Sequence, residues 1–427
     1  DDSCQTNGVS FCTPGGVNFA DPYYGGRGPQ FISYNFSVQH MINKKAVLTV
    51  AYAGSQTHFL PGGAGRGYAT NTYSPDYVQE YKNNLINGGY AGSAPPYPLY
   101  AGTNATVAQS LKPFPQFGTM TDIWGSTGNA AYNSLQVSVI QRPWHNLSGL
   151  MSYTRSKELD DTGNHRTLFP MGPQDGNYSR TYGANQVDRG LGQFNQTNTF
   201  NIAWNYAFPI GRGQAFFATN RIASLIGGGW TLNGIYKYRD GYPLQITATS
   251  CNPATNGGQG DPTHHNNTGI CMPDYTPGFN KSAARINGRW GRGPGANAGN
   301  LNTISYLNPA AFQCPDSSPL NNTSTCGNSN TPGATWKIGN IGRSAPDGLF
   351  GPGWWDVDLG LRRTFNVRET ATLHLTFQVE ADVSNATNSV FFNLASSQWN
   401  SSTYGQVSGQ NQQIIPRDWQ FAGRLRF

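Results

Sequence analysis

Charged residues are scarce in this sequence, 12% of 427, and no block of lysine or arginine gathers the net charge of +6 into one stretch. That even spread excludes the basic stripe by which proteins hold nucleic acid, so no nucleic-acid partner is expected. Also missing is any apolar run of the roughly 18 to 20 residues that a membrane-spanning helix requires. If this chain crosses a membrane, it must do so with strands. The sequence holds no Gly-x-Ser-x-Gly elbow, no His-Glu-x-x-His pair and no Walker loop, and the glycine-rich "GRWGRGPG" at Gly288 to Gly295 lacks the Lys-Ser/Thr ending of one. No enzymatic activity, catalytic residue or cofactor is therefore expected. A secretory leader is absent too, and the opening residue Asp1 reads as the product of processing.

What the chain has in abundance is glycine, 53 residues, and aromatic side chains, 13% of the total. Disordered chains are poor in aromatics, so this mixture points to many strands joined by turns. Period-two alternation recurs along the sequence, most plainly where Leu373, Leu375, Phe377, Val379, Ala381 and Val383 alternate with His374, Thr376, Gln378, Glu380 and Asp382. An apolar face toward lipid and a polar face toward a lumen would satisfy that pattern. It also makes the close carboxylates Glu380 and Asp382 lumenal neighbours, as opposed to an acid/base pair; Asp160 with Asp161 is the other close pair.

Nine such segments are predicted, near residues 29 to 41, 45 to 60, 130 to 142, 147 to 158, 193 to 209, 229 to 249, 353 to 366, 369 to 384 and 414 to 427. Their connections alternate in length. Tight turns fall at Asn43 to Lys45, Pro143 to Asn146 and Asn366 to Arg368, with Ile210 to Gly228 as a longer member of the same set. Long loops fall near 61–129, 159–192 and 250–352. Short turns on one side and long loops on the other are expected of an outer-membrane barrel and have no cause in a soluble sandwich. The fold class is thus all-β, an antiparallel transmembrane barrel with short periplasmic turns and long extracellular loops. Nine strands put residues 1–28 outside as an extracellular segment, ahead of barrel residues 29–427. Trp230, Trp354, Trp355, Trp399, Trp419, Tyr236 and Tyr238 suit the aromatic girdles of such a barrel.

The six cysteines fall in outward segments as three neighbouring pairs, Cys4 with Cys12, Cys251 with Cys271, and Cys314 with Cys326. Adjacent pairing closes the smallest loops, and disulfides imply an oxidising compartment. A metal site with His264 and His265 lacks the tight Cys-x-x-Cys spacing that zinc prefers, so no metal is expected.

A family resemblance rests on six segments that occur in order: "YNSLQVSVIQR" (Tyr132 to Arg142), "SYTRSKELDD" (Ser152 to Asp161), "DRG" (Asp188 to Gly190), "GGWTLNGIYKYRDGYPLQIT" (Gly228 to Thr247), "GPGWWDVDLGLRRTF" (Gly351 to Phe365) and "RDWQFAGRLRF" (Arg417 to Phe427). The set resembles the C-terminal barrel region of the large TonB-dependent receptors that carry a carboxypeptidase-regulatory-like domain, abundant in Acidobacteria. The resemblance implies an outer-membrane transporter of siderophores, cobalamin, glycans or peptides. It also implies that the plug, the TonB-contacting segment and the remaining strands belong to an N-terminal part of the same receptor. The last strand, with Trp419, Phe421, Leu425 and terminal Phe427 alternating outward, resembles the signal read by barrel-assembly machinery. Expected partners are membrane lipid, that N-terminal part or identical chains completing the sheet, and the TonB system through the plug alone. The alternative is a structural or adhesive surface protein, polymerised through its sheet edges from a cleaved barrel fragment.

Overall fold

The structure is a computed structural model that describes residues 5–6, 9–10, 17–23, 25–60, 68–69, 114, 117, 120–123, 126, 128–160, 190–192, 194–211, 213–219, 221–244, 246, 248–249, 270–271, 273–280, 283–285, 304–313, 349–369, 374–399, 401–411 and 415–427. Nine long strands form one antiparallel sheet: β1 (Gln30–Asn43), β2 (Ala46–Leu60), β3 (Gly128–Trp144), β4 (Leu147–Asp160), β5 (Asn198–Ala207), β6 (Trp230–Arg239), β7 (Trp354–Glu369), β8 (His374–Ser384) and β9 (Asp418–Arg426). Each pairs with its neighbours in sequence, so the sheet is a meander from β1 to β9, and among the described residues its two edges do not meet. The strands run from 9 to 17 residues. A barrel strand crosses a bilayer in about 9 to 11 tilted residues, so each is long enough.

All nine predicted segments contain a strand, and the connections sort by end. At the short-turn end, Lys44 and Lys45 link β1 to β2, with the Asn43 carboxamide accepting from the Lys45 amide at 2.7 Å. His145 and Asn146 link β3 to β4 with φ of 47° and 63°. Two successive left-handed residues make the primed turn whose twist matches paired strands. Lys45 Nζ donates to Pro143 O at 3.0 Å and ties these two turns together.

Three boundaries differ from expectation. The β7–β8 turn is not at Asn366 to Arg368, because β7 continues to Glu369 through a bulge between Asn366 and Arg368. The bulge absorbs one residue, which breaks the alternation and mimics a turn in the sequence. The chain leaves the sheet after Arg239, and Leu244 and Ile246 pack in a core outside it. The long connection between β5 and β6 contains a helix, α1 (Arg221–Gly227).

Register divides the sheet into two faces. Asp356, Asp358, Gly360 and Arg362 of β7 share one face with Lys237 of β6, Glu380 and Asp382 of β8, and Gln420 and Arg424 of β9. The opposite face carries Trp230, Leu232 and Tyr236 of β6, Leu361 and Phe365 of β7, Phe377 and Ala381 of β8, and Trp419, Phe421 and Leu425 of β9. A slip of one residue would exchange the two sets, so the pattern itself fixes the register. Aromatic rings on the apolar face lie over glycines of the next strand. A side chain at Gly234 would strike the Trp204 ring, and one at Gly54 the Tyr34 ring.

Short ladders outside the sheet join distant loops. Val17–Phe19 runs parallel to Met120–Asp122, which also pairs with Tyr68–Ala69, so the segment before β1 joins the β2–β3 loop.

Candidate functional site

Two regions hold more than the sheet needs: the polar face of β6 to β9, and a compact core built from loops at the long-loop end. On the polar face Lys237 Nζ lies 3.3 Å from Asp358 Oδ2 and 3.8 Å from Asp356 Oδ2. Two strands away, the Glu380 carboxylate is gripped from both sides, by Arg362 Nη2 at 2.6 Å on Oε1 and by Arg424 Nη2 at 3.3 Å on Oε2. The Glu380 side chain is 2% exposed while the two arginines are 46% and 55% exposed, so a sunken anion is held by cations that still reach water. A residue larger than glycine at position 360 would collide with Asp382 and Asn233, which leaves this row packed across three strands.

Asp356, Asp358 and Glu380 each face a cation across the strands. Chemically the face is a polar lining. Among the described residues no group of three His, Cys, Asp or Glu side chains could hold a metal ion. His264, His265, Asp161 and the glycine-rich stretch from Gly288 lie outside the described residues.

The second region carries no periodic signal in the sequence. Leu244 and Ile246 beyond β6 are buried with Tyr306, Leu307 and Phe312, with Leu349 before β7, and with Trp399, Tyr404 and Val407 between β8 and β9. Each fully buried aliphatic side chain here contributes about 1.5 to 3 kcal/mol of transfer free energy. The ladder of Asp274–Tyr275 with Phe312–Gln313 lies within the β6–β7 connection, and that of Ile304–Ser305 with Gln406–Val407 locks this connection to the β8–β9 connection. Tyr306 Oη donates to Phe350 O at 2.8 Å, and Trp399 Nε1 to Pro309 O at 3.0 Å. Gly405 sits at φ of 71° against the backbone of Leu307, a place where a side chain has neither room nor a relaxed conformation. Burial raises the Tyr404 hydroxyl above the ordinary tyrosine range, with neighbouring Tyr275 adding to it. Burial likewise raises Tyr306, against an opposing effect of Arg285.

The predicted girdle residues divide. Trp230 lies on the apolar face near the short turns, and Tyr236, Tyr238, Trp355 and Trp419 lie on that face toward the long loops. Tyr236 and Trp355 rings stand 6.4 Å apart. Trp399 belongs instead to the loop core, and Trp354 to the polar face, where Arg239 lies 5.5 Å over its ring and Phe391 packs beside it. Sequence distance from a strand end did not reveal which face Trp354 would occupy. Trp419, Phe421 and Leu425 share the apolar face of β9, and Phe427 is exposed at its end.

Of the cysteines only the backbone of Cys271 is described, as Ile270–Cys271 pairs with Ala248–Thr249 and closes the intervening loop. The three expected disulfide pairings thus lie outside the described residues.

A meander of membrane-length strands with one polar and one apolar face, and with short and long connections sorted to opposite ends, defines an outer-membrane β-barrel protein. The chain belongs to the outer membrane beta barrel domain family, which it matches over residues 2–420. Among solved structures it is similar to the outer membrane transporter YddB from Escherichia coli, at 9% identity and a TM-score of 0.37, over 97% of this chain and 35% of that one. It is also similar to a Pseudomonas aeruginosa FadL homologue, at 9% identity and a TM-score of 0.18, over 93% of this chain and 66% of that one. The chain thus spans about a third of the length of YddB. No curated protein matches it.

Proposed function

We propose that this chain is the C-terminal barrel portion of a TonB-dependent transporter that takes up a nutrient ligand across the outer membrane, without enzymatic activity. The observation that carries the reading is the open nine-strand sheet with a charged, ion-paired polar face. Unpaired strand edges are not tolerated in hydrocarbon, so further strands must complete the sheet. The N-terminal part of the same receptor supplies them together with a plug, and the polar face lines the lumen. The ordered motifs from Tyr132 to Phe427 support this assignment. In this reading the long-loop end faces the cell exterior, and the loop core over β6 to β9 forms one side of the ligand entrance. The short turns lie in the periplasm, and the Trp419, Phe421, Leu425 and Phe427 strand is read during assembly.

The test is mass spectrometry of the protein purified from outer membranes. An N-terminal polypeptide with plug and further strands, continuous or in equal amount with this chain, is the expected result. Recovery of this chain alone, as a homopolymer, would replace the transporter reading with the polymeric surface protein.

A further inference from the structure

We propose that the connection between β5 and β6 is a membrane foot, a lipid-binding surface that rests on the outer membrane at the short-turn rim. The proposal rests on the reading of the sheet's apolar face as lipid-facing. Five large apolar side chains in this connection, Phe216, Phe217, Ile222, Leu225 and Ile226, are each between 59% and 71% exposed. Exposed apolar groups gathered in so short a stretch mark an interaction surface.

What decides the partner is where the stretch is anchored. Arg363 lies two residues from both Leu361 and Phe365 on β7, so it stands with them on the apolar face, where an uncovered cation would be costly in lipid. It is not uncovered. Its Nη1 donates to Ile226 O at 2.6 Å, its Nη2 donates to Leu225 O, and its guanidinium stacks 4.2 Å over the Phe365 ring. Trp230 Nε1 donates to Ile226 O at 3.0 Å. The carbonyl end of α1 thus accepts the guanidinium's hydrogen bonds, and Arg363 is left only 8% exposed. This docking puts α1 on the outside of the sheet, continuous with the lipid-facing surface and away from the polar face. A loop there that displays Ile222, Leu225 and Ile226 outward meets acyl chains. The connection from residue 208 to 229 contains Arg212 and Arg221 and no acidic residue, a balance that suits phosphate headgroups.

The experiment uses the complete protein in intact outer membranes. The photoreactive residue p-benzoylphenylalanine replaces Leu225, and in separate variants Phe421 on the apolar face or Asn233 on the polar face. After irradiation, mass spectrometry reads what each has captured. Phospholipid adducts at 225 should approach those at 421 and exceed those at 233 by roughly tenfold. Lipid at 421 with protein adducts, or none, at 225 would overturn the foot while leaving the barrel standing. Absence of lipid at 421 would overturn the lipid-facing assignment on which the foot depends.

Discussion

Replacing Glu380 by Gln removes one charge and leaves two arginines facing a neutral amide. In a fully buried triad, breaking such a pair costs about 3 to 5 kcal/mol, because the surviving charge has nowhere to go. Here Arg362 and Arg424 are about half exposed and can turn to water in the lumen, which discounts the loss to about 2 kcal/mol. Replacing Arg362 by Gln should cost at least as much, about 2 to 3 kcal/mol, because the buried carboxylate then keeps only its 3.3 Å partner. Replacing Arg424 by Gln should cost about 1 kcal/mol, since the 2.6 Å pair survives. The double variant Glu380→Gln with Arg362→Gln should lose less than the sum of the two, because it discards both members of one pair. Urea midpoints for unfolding of the complete protein in lipid vesicles, read as loss of heat-modifiable gel mobility, give the ranking. Equal losses for Arg362→Gln and Arg424→Gln would refute the view that the sunken carboxylate is held chiefly from the β7 side.

Facing can be tested at adjacent residues: Phe377→Arg puts a cation on the apolar face and should lower membrane yield, by up to about 2 to 4 kcal/mol if it sits at mid-bilayer. Gln378→Glu should be tolerated because Arg424 lies directly across from it, and equal yields of the two variants would contradict the facing. Gly234→Leu should cost about 1 to 3 kcal/mol in the same urea assay by forcing the Trp204 ring from its seat, and an unchanged midpoint would mean the ring is free to move. Among the described residues the buried Tyr404 hydroxyl has no hydrogen-bond partner, so Tyr404→Phe should leave loop resistance to protease unchanged or improved. Because burial raises the folded hydroxyl above the unfolded value of about 10, its stabilising effect is complete below that pH and declines as pH rises past it. Protease sensitivity of the loop core should therefore increase above about pH 10, less so in Tyr404→Phe, and a flat profile would count against the buried phenol.

The sheet was legible in sequence because its information is local. Each strand announces itself through alternation, and the sorting of connections supplies order and polarity without any distant contact. The legible parts end where that locality ends. The bulge between Asn366 and Arg368 shifts the alternation by one residue and imitates a turn. Helix α1 spans seven residues, too few for a helical period to stand out. The loop core was hidden altogether, since Leu244, Leu307, Leu349 and Val407 come from four separated stretches whose meeting no periodicity encodes. Trp399 belongs to this core for the same reason, although its sequence position suits a girdle. The polar pairing of Glu380 was half visible: alternation assigned its face, but its two arginine partners depend on the register of β7 and β9.

The meander also bears on how the sheet can grow and change. Among the described residues each of the nine long strands bonds, within that set, only to the strands before and after it, so no internal pairing must open when a hairpin is added at an edge. Assembly can proceed one hairpin at a time, with each closure linking residues close in sequence and the slow search for distant partners postponed to the final seam. In an evolving gene, the same arrangement lets duplication or loss of a two-strand unit resize the sheet while every surviving strand keeps its neighbours.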